Sequence, residues 1–280
     1  MSLKSMNIGA AVLHLVLGVV IVVFFTWKGA WGNGDVPIHR VSARKADDNT
    51  RMFYETDTQQ VGTLPNVSIL LAICVVTCLA HVFYSLWSGY DGMTLRGTNP
   101  FRYAEYGISA SLMTLVIASF SGIQDVTGLL LLVVATVVMM GLGSSVENVA
   151  SQGGKPSVPV LGGAWLLFAG IWAAIIYNFI STVSDSEEAP DWLPAIIFTE
   201  MSIFALFGLL SLAYVRKWKI FSNFATVEKG FIVLSFTAKA FLVLLLTSAL
   251  ATRPEPKKED DSTGSSTSSV VHKNEQQIPA

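Results

Sequence analysis

Charge is what this sequence has least of. Asp, Glu, Lys and Arg make up only 14% of 280 residues while 52% are hydrophobic, which excludes a solvated surface over most of the chain and places it among membrane proteins. The formal net charge of −2 argues against the basic surface that a nucleic-acid partner requires. Cysteine is nearly absent. Cys74 and Cys78 share one apolar run and one helix face, which suits small packing residues better than a disulfide or a metal site. No hydrolytic triad, metal-ligand cluster or phosphate-binding glycine loop occurs, so no conventional enzyme activity is expected. The sequon at Asn66 to Ser68 abuts the start of an apolar run, where it carries no meaning.

What is present is a series of long apolar segments, at about 6–27, 65–90, 100–121, 126–147, 159–182, 193–215 and 228–251. Each has the ~20 residues that a bilayer span needs. The first is too long for a signal peptide and lacks a small-residue cleavage site, so it reads as a retained span. The expected fold is an all-α membrane protein, a bundle of seven transmembrane helices over residues 1–251. Between the first two spans, residues 28–64 form the only long connection. Partial alternation at Val36 to Ala43 and Arg51 to Tyr54, around the turn-forming Asp47, Asp48 and Asn49, predicts a β-hairpin there. Beyond Pro254 and Pro256 a Ser/Thr-rich charged tract, residues 252–280, has the composition of a disordered tail.

Against this background Lys239 is out of place. It sits near the middle of the last span, roughly 15 Å from either surface, and a lysine stem cannot snorkel that far. An ammonium at that depth costs at least ~2.5–3.5 kcal/mol. Two outcomes are open: a salt bridge between helices, or condensation of the amine with an aldehyde to give a Schiff base.

The other intramembrane ionisable groups are His14, His81, Glu105 and Glu200, with Glu147 at the end of the fourth span. Odd spans run from the side of the amino terminus to the opposite side, and even spans return. Counted from the amino-terminal side, His14, His81, Glu105 and Lys239 lie at roughly 8–17 Å depth, so four helices bring polar groups to one half of the membrane. Ser235 is one turn before Lys239 and Ser109 one turn after Glu105, so each charge has a hydroxyl on its own face. The expected pair is Glu105 carboxylate with Lys239 ammonium, flanked by His14 and His81. Glu200 counts to the opposite flank. Short connections on the carboxy-terminal side carry no basic residue, whereas Arg96, Arg102, Lys155, Arg216, Lys217, Lys219 and Lys229 lie on the other, which places the amino terminus in the cytoplasm and the carboxyl terminus outside.

The stretch from Arg102 through Glu105, Tyr106, Ser109 and Ser111 to Met113, taken with Ser235 to Lys239, resembles the heliorhodopsins, seven-helix membrane proteins that bind retinal. The resemblance extends to His14, His81, a structured first loop, and Glu147 after Gly141 and Gly143. It implies a rhodopsin-like retinal-binding domain, all-trans retinal held on Lys239 as a protonated Schiff base, Glu105 as its counterion, a cytoplasmic amino terminus and a homodimer involving the first loop.

A polyene needs a long apolar slot with flat walls. Candidate wall residues are Tyr106 and Met113 in the third span, and Met139, Met140 and Gly143 in the fourth. Trp165, Phe168 and Trp172 in the fifth and Phe204 and Phe207 in the sixth complete them. Two functions fit. In the first, the protein is a photoreceptor with a slow photocycle that keeps the proton in a polar annex of His14, His81, Ser235 and Ser109 and signals to a partner. In the second, a light-gated proton conductance runs through Glu105, Lys239 and Glu200, with Glu147 as a further possible station. A seven-helix receptor for a diffusible ligand or a solute carrier is a third class, disfavoured because the short loops offer no ligand-gathering domain and the two halves show no clear repeat with broken helices.

Overall fold

The computed structural model describes residues 2–45, 54–185 and 192–251. The turn cluster at Asp47 to Asn49 and the tail at 252–280 lie outside the described residues. Helix α1 (Leu3–Lys28) starts at Ser2, whose side chain accepts from the Ser5 amide at 3.1 Å. It stops at Gly29, which at φ 64° turns the chain while its N–H caps the Phe25 and Thr26 carbonyls. After one 3₁₀ turn, Trp31–Gly34, come strands β1 (Asp35–Lys45) and β2 (Tyr54–Pro65), antiparallel with a bulge between Ile38 and His39. The hairpin is anchored at its root. A Cβ on Gly34 would sit 2.9 Å from a Leu250 methyl, and the His39 amide donates to the Gln124 carbonyl at 2.8 Å.

Six further helices follow: α2 (Asn66–Leu86), the short α3 (Tyr90–Leu95), α4 (Pro100–Phe120), α5 (Val126–Ser151), α6 (Val158–Asp185) and α7 (Trp192–Val215). The last, α8 (Phe224–Ala251), closes a ring in which each long helix packs on the next and α8 returns to α1. Among the described residues six helices are long and apolar enough to cross a membrane. The seventh long helix, α4, carries Arg102, Glu105 and several hydroxyls, and it is buried on most of its circumference, so its polar groups face protein instead of lipid. The fold is therefore the expected seven-helix bundle with a hairpin in its first loop.

Three boundaries differ from the sequence expectation. The second span ends at Leu86 instead of residue 90, because Trp87 turns extended and stacks on Phe83 with centroids 5.4 Å apart, and Tyr90 opens a separate helix. The second strand runs over Tyr54–Pro65, far past the Arg51 to Tyr54 stretch expected, of which 51–53 lie outside the described residues: Thr56 to Val61 is exposed throughout, so no inside-outside alternation marks it. The fourth span runs on to Ser151, which places Glu147 inside the last helical turns.

The core is divided by polarity. Toward the hairpin, Leu70, Ile73, Val116, Ile117, Leu242 and Leu246 form a dry plug with essentially no exposure. Toward the amino-terminal side the interior is aromatic and charged, around Tyr106, Phe231, Tyr214 and the ionisable groups described next.

Candidate functional site

The last helix sets the position of the site. Lys239 is 2% exposed, and its Nζ donates to Glu105 Oε1 at 2.7 Å and to Ser235 Oγ at 2.9 Å. Ser235 reaches it because residues four apart share a helix face. Glu105, on α4, also accepts from Thr77 Oγ1 of α2 at 2.8 Å, a contact the sequence reading did not include. Ser109 is buried one turn further along α4, and the Tyr106 ring lies 5.3 Å from Nζ. Three helices thus surround one ion pair, each adding a polar atom where hydrocarbon alone would leave a charge uncompensated.

The histidines stand beside this pair on α1 and α2. Their rings stack at 5.6 Å with 25° between planes, both buried, and both near enough to Lys239 and Glu105 to feel those charges. His14 Nδ1 contacts the Ala10 carbonyl at 2.7 Å, and His81 Nδ1 contacts Asn7 Oδ1 at 2.8 Å. Asn7 was not foreseen; a lone amide in the first turn of a span gives no signal until its partner is placed.

From Lys239 a cavity of about 920 Å³, counting its open mouth, extends between α4, α5, α6 and α7. Of the expected wall residues, Tyr106, Met113, Met139, Met140, Gly143, Trp165, Phe168, Phe204 and Phe207 line it. Trp172 does not. It packs edge-on behind Phe204 with centroids 5.6 Å apart, because it lies a helical turn past Phe168 and beyond the end of the cavity. Tyr103, Ser211 and Phe231 are wall residues that the sequence reading missed. The slot depends on glycine at two points: a Cβ on Gly143 would meet Tyr103 at 2.8 Å, and one on Gly208 would meet Trp165 at 2.9 Å. A flat, apolar channel ending at a buried amine fits a polyene aldehyde in shape and in chemistry.

Glu147 is not at Lys239. It belongs to a second buried cluster nearer the amino-terminal side, where Arg102 of α4 bridges Glu147 of α5 and Glu228 of α8. Asn99 donates its backbone N–H to Glu147 and its side-chain amide to Glu228, each at 2.7 Å, and the Tyr90 hydroxyl donates to Glu228 at 3.0 Å. The guanidinium carbon lies 3.9 Å from the Phe231 ring centroid, at the edge of the cavity wall. Arg102 reads from sequence as a basic residue on the amino-terminal side, and Glu228 was not singled out; a guanidinium and a carboxylate in the first turns of two apolar spans were the available signal.

Glu200 is also apart. It is fully buried on α7, one turn before Phe204, and neither carboxyl oxygen has a hydrogen-bond partner among the described residues.

The closed ring of seven long helices is the fold of solved light-driven proton pumps, and here it carries a buried lysine-carboxylate pair at the head of an aromatic slot. A light-driven proton pump, LR (Mac), from Leptosphaeria maculans matches with a TM-score of 0.60 at 14% identity, covering 89% of this chain and 95% of that one. The light-driven proton pump rhodopsin CsR from Coccomyxa subellipsoidea matches at 0.57 and 14%, covering 88% and 96%. At that identity the likeness is one of fold. Residues 3–249 match the heliorhodopsin family model, so the chain belongs to the heliorhodopsin family and is a multi-pass, retinal-binding, light-responsive membrane protein. No curated protein matches the sequence.

Proposed function

We propose that this protein is a light sensor in which Lys239 is the attachment point of retinal, all-trans in the dark, and Glu105 its counterion. The observation that carries this reading is the 2.7 Å Lys239–Glu105 pair at the closed end of the aromatic slot. Retinal, when bound, supplies visible absorption and a light-driven change of shape. Trp165, Phe168, Phe204, Phe207 and Met113, which line the slot, would hold it there. Glu105 keeps a proton on Nζ by holding a negative charge against it. Moving that nitrogen from 2.7 Å to about 5 Å from the carboxylate loses about 3 kcal/mol at an effective dielectric constant of ~20. The loss favours handing the proton to a neutral acceptor, and His14 and His81 are the neutral bases beside the pair. A proton kept there returns without crossing the membrane, and the strain on the helix packing is the signal, read by a partner on the cytoplasmic side with the amino terminus. The hairpin is the surface for a homodimer.

The alternative, a light-gated proton conductance, rests on Glu200. From Lys239 to the next polar side chain on the same face of α8, Thr247, is roughly 12 Å of apolar plug, and Glu200 is the buried carboxyl on that flank without a partner among the described residues. Two measurements test the readings. Purified protein given retinal should be coloured and Lys239→Ala colourless; a coloured Lys239→Ala protein sinks the attachment. Voltage-clamp recording under illumination should show no steady current; a current abolished by Glu200→Gln establishes the conductance instead.

A further inference from the structure

The two buried histidines are held in the same tautomer, and the structure shows by what. The Ala10 carbonyl can only accept, so His14 Nδ1, 2.7 Å away, carries a hydrogen. In the neutral ring Nε2 is then a bare acceptor, and it has no partner among the described residues. For His81 the partner is an amide, which could present either end. Its orientation is fixed from behind: Asn7 Nδ2 donates to the Leu3 carbonyl at 3.1 Å, so Oδ1 is the end that faces His81. An amide oxygen also only accepts. His81 Nδ1 therefore carries its hydrogen too, and its Nε2 is left bare.

We infer that Asn7 is a positioning residue, which locks His81 in the Nδ1–H tautomer so that the stacked pair offers two Nε2 lone pairs to an incoming proton. This rests on the reading that the proton of Lys239 is handed to the histidines. A neutral amide is suited to the task. It fixes the tautomer, yet it stabilises the charged ring less than a carboxylate in the same place, so a proton accepted at Nε2 is held loosely and given back. The groups around the pair leave this role to Asn7. Phe236 lies edge-on to His14 and Tyr84 edge-on to His81, Glu105 and Lys239 are paired with each other, and the Tyr90 hydroxyl is committed to Glu228.

The test is nitrogen NMR of the full-length protein with ¹⁵N-labelled histidine in lipid, recorded in the dark with and without retinal. Both buried histidines should show a protonated Nδ1 and a bare Nε2, and in Asn7→Leu the His81 signals should move to a mixture of tautomers. An Nε2–H His81 in the wild type, or an unchanged tautomer in Asn7→Leu, overturns the inference. Asn7→Asp keeps an acceptor in place if Asn7→Leu does not fold. It should retain the Nδ1–H tautomer and, by stabilising the charged ring, slow the recovery of absorption after a flash by about tenfold. The expected tautomers with an unchanged recovery in Asn7→Asp would uphold the positioning role and refute the proton hand-over, so the two failures are distinguishable.

Discussion

Replacing Glu105 by Gln removes the only carboxylate within hydrogen-bonding distance of Lys239 among the described residues while keeping shape and most contacts. At 2.7 Å and an effective dielectric constant of ~20 the pair's attraction is about 6 kcal/mol. Part of that survives in the Ser235 contact, and the Thr77 hydroxyl keeps an acceptor in the new amide. The net loss expected for stranding one buried charge is about 3–5 kcal/mol. At roughly 2–4 °C per kcal/mol for a chain of this size, thermal unfolding of the retinal-free protein should drop by about 10 °C. The decisive comparison is the double variant Glu105→Gln with Lys239→Met. If the loss comes from an uncompensated charge, removing that charge should restore most of the stability, because Ser235 and Thr77 can each turn to the backbone carbonyl four residues earlier. A double variant as unstable as Glu105→Gln alone would refute the electrostatic account and leave packing as the cause.

The Arg102 cluster should behave asymmetrically: Arg102→Met leaves two facing carboxylates and should cost about 3–5 kcal/mol, whereas Glu228→Gln keeps one full ion pair and should cost less than half of that. Unfolding midpoints of the two variants decide it, and equal losses would contradict the charge balance. Gly208→Val places a branched side chain 2.9 Å from the Trp165 ring, so it should lower stability by about 1–3 kcal/mol and cut the yield of coloured protein when retinal is added. Full colour in that variant would show that the slot is wider than the Gly208–Trp165 contact allows.

What the sequence made legible, and what it hid, follow from range. Spans show because twenty apolar residues in a row are a local property, and Lys239 and Glu105 show because a charge in such a run has no local explanation. Their meeting could be reached by counting depth along alternating helices. The stripe of Trp165, Phe168 and Trp172 illustrates the limit: spacing puts all three on one side of α6, but only the folded packing shows that Trp172 sits against Phe204 and does not line the cavity. Glu147 was found without its partner for the same reason, since Arg102 lies on another helix 45 positions away in sequence. Neither Asn7 nor Thr77 carries a signal alone; each matters through one hydrogen bond to a distant helix. Strand β2 was hidden by having no dry face.

Both solved relatives described above are light-driven proton pumps, yet the shared fold does not transfer their activity, because the fold is common to different uses and the site distinguishes them. In this chain the polar groups are unevenly placed. His14, His81, Asn7 and the Arg102 cluster all lie between Lys239 and the amino-terminal side, and the opposite flank is closed by Ile73, Val116, Leu242 and Leu246. A vectorial transporter needs acceptors on both flanks at different stages of its cycle, and on the far flank Glu200 is a buried carboxyl without a partner among the described residues. A single carboxyl in a dry wall can relay a proton only if water enters when the helices move. Photocurrent therefore depends on the hydration of the plug formed by α2, α4 and α8, and substituting Leu246 with Ser, which wets that wall without touching Lys239 or Glu105, should raise any current that Glu200 supports. A silent Leu246→Ser protein that still forms colour would place the whole proton excursion on the histidine side.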